Sequence, residues 1–120
     1  MTLEDIVLAV LSKFSMLSLE ELVAVLILLR EEGRVMDIPQ PRRPLSIPQL
    51  IPTLEGLINR GLVAIYEEME SDVRKYVITR LGASRAEKIK IPALDEIAKK
   101  YSFQYVPLPL VVALRYPQYF

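Results

Sequence analysis

Cysteine, histidine and tryptophan are absent from the whole 120-residue sequence. The missing cysteines exclude disulfides and thiolate nucleophiles, and the missing histidines remove the imidazole general base and most ways of holding zinc. The carboxylates stand in no paired arrangement with a base, nucleophile or ligand, so the expectation is a protein without catalytic activity, metal or other cofactor. A membrane-spanning run is missing too, since the longest apolar stretch, LVAVLILL, falls far short of the length needed. The opening MTLEDIVLAV carries acids where a secretory leader carries lysine or arginine, which points to a cytoplasmic protein. Asparagine occurs once, at Asn59, and together with nine prolines and many Glu, Lys and Arg this leans toward a thermophilic source.

An excess of either charge is also lacking, because 15 basic residues face 15 acidic ones. The balance is global but not local. Met1 to Gly33 sums to −4, Arg34 to Leu62 to +2, Val63 to Asp72 to −4 and Val73 to Lys90 to +5. A neutral total therefore leaves room for a basic face, although phosphate contacts supply most of the non-specific affinity of nucleic-acid binders. With 52% apolar and 25% charged residues, the chain reads as one compact domain burying about two thirds of its unfolded surface.

Periodicity and capping residues place the elements. Thr2 caps a helix running to Phe14, with Glu4 and Asp5 in its first turn and Leu3, Ile6, Val7, Val10, Leu11 and Phe14 on one stripe. Ser18 and Glu21 form a capping box opening a second helix that Gly33 ends at the position after its cap. Its middle is apolar on nearly every side, which predicts either the central core helix or a helix partly in a dimer interface. The stretch RVMDIPQPRRPL is a stiff loop, its three prolines barring a helix. Ser46 with Gln49 reads as the next capping box, opening a helix whose buried stripe is Leu50, Leu54, Leu57 and Ile58. Leu62 to Met69 and Val73 to Arg80 read as a hairpin, Ala83 to Lys90 as a short basic helix and PALDEIAKKY as another. Residues 101–120 carry Tyr101, Phe103, Tyr105, Tyr116, Tyr119 and Phe120, spaced for strand or extended structure.

The order of helix, hairpin and helix in Gln49 to Gly82 is that of a winged helix. The segment LIPTLEGLINRGLV resembles the recognition helix of PadR-type transcription regulators, with Leu50, Pro52, Leu54, Leu57, Gly61 and Leu62 on the family pattern. RKYVITRLG is similar to the family's second wing strand through Arg74, Lys75, Tyr76, Ile78, Thr79 and Gly82, a motif shared with MarR-like and other archaeal winged helices. Two positions differ. The PRRP loop stands where the family has the first helix of its helix-turn-helix, and Ile51 stands where it has a tyrosine. The resemblance implies an α+β, mostly helical fold with a two-stranded wing, an extra N-terminal helix and an extended aromatic C-terminal tail. It divides the chain into a winged-helix domain, residues 1–100, and a tail, residues 101–120. It further implies a homodimeric regulator that binds double-stranded DNA with its third helix in the major groove. The alternative is a winged helix used as a protein-interaction module in a larger assembly.

The candidate DNA contacts each have a plainer reading. Arg42 and Arg43 either clamp phosphates or solvate the loop. Gln49 and Thr53 suit base edges or phosphates, but Gln49 is equally suited to capping. Arg74 and Lys75 either track the DNA backbone or pair with Glu67 and Glu68 across the hairpin, leaving Arg80, Arg85 and Lys88 as the stronger phosphate ligands. The aromatic tail either packs on its own chain or offers a surface to a second copy or another protein.

Overall fold

A computed structural model describes residues 1–102 and 106–120. Helix α1 spans Leu3–Phe14, strand β1 Met16–Ser18, α2 Leu19–Glu31 and α3 Leu50–Asn59. The hairpin strands β2 and β3 span Val63–Glu67 and Arg74–Ile78, followed by α4 at Arg80–Ala86, α5 at Pro92–Tyr101 and α6 at Leu108–Arg115. A 3-10 turn, Pro117–Tyr119, closes the fold. The architecture is α+β, six helices around a small antiparallel sheet ordered β1-β3-β2.

The core is built on α2. Every residue from Leu22 to Leu29 is buried, so the helix has no solvent face over two turns. The chain itself supplies the cover, with α6 and α5 packed on α2 and β1 beside it. This removes the ground for inferring a homodimer from the apolar character of α2. Helix α1 is buried continuously from Ile6 to Leu11, more than the single stripe expected, because α3, α4 and α5 all pack on it.

Capping follows the sequence at the first two helices. Thr2 with Asp5 and Ser18 with Glu21 both form complete capping boxes. At α3 the structure departs from expectation. The Ser46 hydroxyl donates to the Arg42 carbonyl at 3.1 Å, closing a loop bridged by paired Arg42 and Ser46 backbone bonds. Ser46 is thereby spent on the loop, and Gln49 takes a left-handed conformation with φ 71° at the cap position without a side-chain cap bond. Pro52 lies in the first turn, where a backbone N–H lacks an intrahelical partner in any case, so it starts α3 without breaking it.

The end of α3 is fixed by a Schellman arrangement. Gly61 N–H donates to the Ile58 carbonyl at 3.0 Å and Leu62 N–H to the Leu57 carbonyl at 2.9 Å, with Gly61 at φ 73°. Thr79 then ties the far end of the hairpin back to this corner. Its hydroxyl lies 2.7 Å from the Gly61 carbonyl and 3.0 Å from that of Leu62, and it accepts the Gly82 N–H at 3.1 Å as the cap of α4. That cap starts α4 at Arg80, three residues before the expected Ala83.

Gly33 stands at the expected position after the α2 cap, Glu32, but without a positive φ; the left-handed residue is Arg34, and Gly33 is required because a Cβ there would meet the Leu29 carbonyl oxygen at 2.7 Å and Ala93 at 2.8 Å. Strand β1 was not expected from sequence: Met16, Leu17 and Ser18 pair with Val77, Tyr76 and Lys75. The tail is helical rather than extended, since Pro109 falls in the first turn of α6, where proline is tolerated. It also packs on its own chain, burying Val111, Val112 and Tyr119, while Leu110 and Leu114 stay exposed on α6. Phe103 and Tyr105 lie outside the described residues.

Two glycines predict opposite stability changes. A Cβ on Gly82 would sit 2.1 Å from the Leu62 carbonyl oxygen, whereas one on Gly56 would meet nothing within 4 Å. Gly82→Ala should lower unfolding free energy by ~2–4 kcal/mol through forced displacement of the α3–α4 corner. Gly56→Ala, in the interior of a helix, should raise it by ~0.5–1 kcal/mol. Urea titration of both variants checks the pair.

Candidate functional site

Helix α3 and the hairpin meet at an angle that leaves a groove of about 670 Å³ between them. The strand register creates one wall. Side chains alternate across a sheet, so Ile65 opposite Tyr76 and Glu67 opposite Arg74 share the face turned to α3, while Tyr66 and Lys75 share the other. The second wall comes from Ile51, Leu54, Glu55 and Ile58, which succeed one another along one side of α3. Leu54 and Tyr76 are buried at the floor, and Ile51 and Ile65 stand at the rim, 45% and 42% exposed.

The charge beside this face, at the hairpin tip, is acidic. Glu55 lies in the groove wall, and the hairpin carries Glu67, Glu68, Glu70 and Asp72 around the fully exposed Met69. Arg74, the cation lining the groove, is bound to Glu67 at 2.9 Å. Arg60 at the end of α3 is paired with Glu4 of α1.

The nine candidate DNA contacts are dispersed over four places. Arg42 and Arg43 are exposed in the loop before α3, which the tail holds through a 2.8 Å bond from Leu45 N–H to the Tyr119 carbonyl. Gln49 is exposed at the start of α3, and Thr53 is half-buried one turn later. Arg74 forms the cross-hairpin pair with Glu67, whereas Lys75 stands opposite Tyr66 and Ser18 and makes no ion pair among the described residues. Neighbours in sequence on one strand, Arg74 and Lys75 thus point to opposite faces of the sheet. Arg80, Arg85 and Lys88 are exposed on α4 and the turn after it, again without ion pairs among the described residues.

No three carboxylates converge on a metal-holding cluster among the described residues, and none of their helices is long and apolar enough to cross a membrane. Comparison with protein-family models, curated proteins and solved structures finds no match to this chain.

A polar cluster that sequence reasoning missed lies at the C-terminal end of α2. Glu32 accepts from Lys100 Nζ at 2.9 Å, Tyr101 OH at 2.8 Å, Arg115 at 3.0 Å and Tyr116 OH at 3.0 Å. Next to it, Glu31 accepts from Tyr119 OH, which is held in turn by the Gln40 amide at 3.1 Å. The partners lie 68 to 84 positions from Glu32 in sequence, so local pattern gives no sign of them. The clue available was compositional, in the tyrosines and cations near the C-terminus. Burial pushes the Glu32 carboxyl up, but the hydrogen bonds from Lys100, Tyr101, Tyr116 and Arg115 outweigh it and hold the group down at about 2. Burial and the same carboxylate push Tyr101 and Tyr116 up to about 12, so both phenols stay protonated at neutral pH. The cluster fastens α5, α6 and the final turn to α2.

Its pH dependence has a definite sign. A carboxyl whose folded pKa is depressed from 4.5 to about 2 contributes stability above 4.5 and loses it as pH falls toward 2. Acid unfolding should therefore cost the native protein ~2 kcal/mol of stability between these limits from Glu32 alone, after allowance for the exposed ends of Lys100 and Arg115. Glu32→Gln should be less stable at pH 7 and flatter across that window, as read by denaturant titrations at several pH values.

Proposed function

We propose that this chain is a winged-helix protein that uses its α3–hairpin face to bind another protein. The winged-helix part is supported by the order helix, strand, helix, helix, strand, strand from α1 to β3, with the first strand joining the hairpin in the sheet order β1-β3-β2. It is supported too by the motif residues, since Gly61 closes α3 and Gly82 fits under the Leu62 carbonyl. In this reading α2 takes the place of the first helix of the helix-turn-helix, and the proline loop is a lengthened connection to α3.

The observation that carries the binding mode is the chemistry of the face: Ile51 and Glu55 of α3 stand where a DNA-reading helix presents polar and cationic groups, Ile65 faces them from β2, and the hairpin tip beyond is acidic. Such a surface repels phosphate. A groove with two half-exposed isoleucines at its rim, next to charge, suits a protein partner. The module performs no chemistry in this proposal.

Binding to double-stranded DNA is the second reading, favoured by the five exposed cations Arg42, Arg43, Arg80, Arg85 and Lys88. The two separate in one titration. Under the interaction-module reading, duplex DNA at low salt binds no better than to a neutral control protein. Under the DNA reading it binds, neutralising those five residues weakens it on all sequences, and each lost phosphate contact makes the logarithmic salt slope shallower by about one unit. That second outcome would replace the proposal.

A further inference from the structure

We infer that the groove between α3 and the hairpin receives an amphipathic helix of the partner, apolar along one face and basic along its flanks. The inference rests on the interaction-module reading and specifies its ligand. The spacing of Ile51, Leu54, Glu55 and Ile58 makes the α3 wall two turns long, about 10 Å at ~1.5 Å per residue. Across it Ile65 and Tyr76 close the other side. A helix inserting side chains at i, i+3 or i+4, and i+7 places its anchors over the same two turns and covers both rim isoleucines at once. An extended segment pairing with the free edge of β2 would instead leave Ile51 uncovered.

Charge decides the flanks. Glu55 is in the wall, and Glu68, Glu70 and Asp72 lie on the adjoining hairpin, while Arg74 is occupied by Glu67. Lysine or arginine beside the apolar anchors is complementary to this rim, steering encounter and fixing orientation; acidic flanks meet like charge.

The test is a display selection from a random library of 16-residue peptides on the full chain, followed by fluorescence titration and circular dichroism of the enriched peptides. Enriched sequences should carry the apolar spacing with an excess of Lys and Arg, and should gain helicity on binding. Ile51→Ser, Ile65→Ser and Glu55→Lys, all at exposed positions, should each weaken binding about tenfold or more, whereas Leu114→Ser on α6 should leave it unchanged. Acidic or proline-rich extended peptides that still lose affinity with Ile51→Ser would overturn the basic helix and leave the interaction face standing. An empty selection, or peptides indifferent to all three groove variants, would overturn the inference. Duplex DNA binding that is lost on neutralising Arg42, Arg43, Arg80, Arg85 and Lys88 but unaffected by Ile51→Ser and Ile65→Ser would overturn the module reading itself.

Discussion

The fold depends on the burial of α2. A helix apolar on all sides is stable in water only when enclosed, and eight consecutive buried residues from Leu22 to Leu29 leave it no polar face to turn outward. Most other elements can be understood as parts of that enclosure. The C-terminal helices take one side, β1 and the sheet another, and α1 is drawn inward until it is nearly as buried as α2 itself. In a chain of this size such a demand takes up most of the available apolar surface. Ile51 and Ile65 at the groove, and Leu110 and Leu114 on α6, are among the apolar residues left outside.

Enclosure by the C-terminal segment needs more than apolar contact, because α2 ends in two adjacent carboxylates at the unfavourable end of its dipole. Lys100 and Arg115 offset that charge, and three tyrosine hydroxyls fill the remaining acceptor positions. The same contacts hold the loop before α3, since Tyr119 bonds both Glu31 and Gln40 and its carbonyl accepts from Leu45. The tail thus contributes to placing the start of α3. At the other end the Gly61, Thr79 and Gly82 corner fixes the angle between α3 and the hairpin. The groove is the space left between α3, held at both ends, and the hairpin, held at its base.

That placement governs the functional reading. A helix can be read from its spacing, but what it presents depends on which residues the core consumes. Here the core takes Leu50, Leu54 and Leu57, and the outward side retains isoleucine, glutamate and asparagine. The cations that a DNA reading needs stand on the loop and on α4, away from the side of α3 that lines the groove.

Helix existence was legible in the sequence because capping boxes and 3.6-residue periodicity act within one turn, as Thr2 with Asp5 and Ser18 with Glu21 illustrate. The hairpin was legible for the same reason, its β-branched strands flanking a polar turn. Ser46 and Gln49 carried the same local signal and failed it, because a bridge to Arg42 claimed the serine first. Strand β1 is three residues long and exists only through pairing with β3. The tail aromatics gave no helical pattern, since their order comes from Glu31 and Glu32, far away in sequence. The sequence alone determined helices α1, α2, α3 and α5 and the hairpin, because their signals act over a few residues, and that no excess charge marks the protein. Tertiary structure decided strand β1, the cover on α2, the docking of the helical tail and the apolar groove beside an acidic hairpin tip, because each arises from groups that approach one another only after the chain has folded.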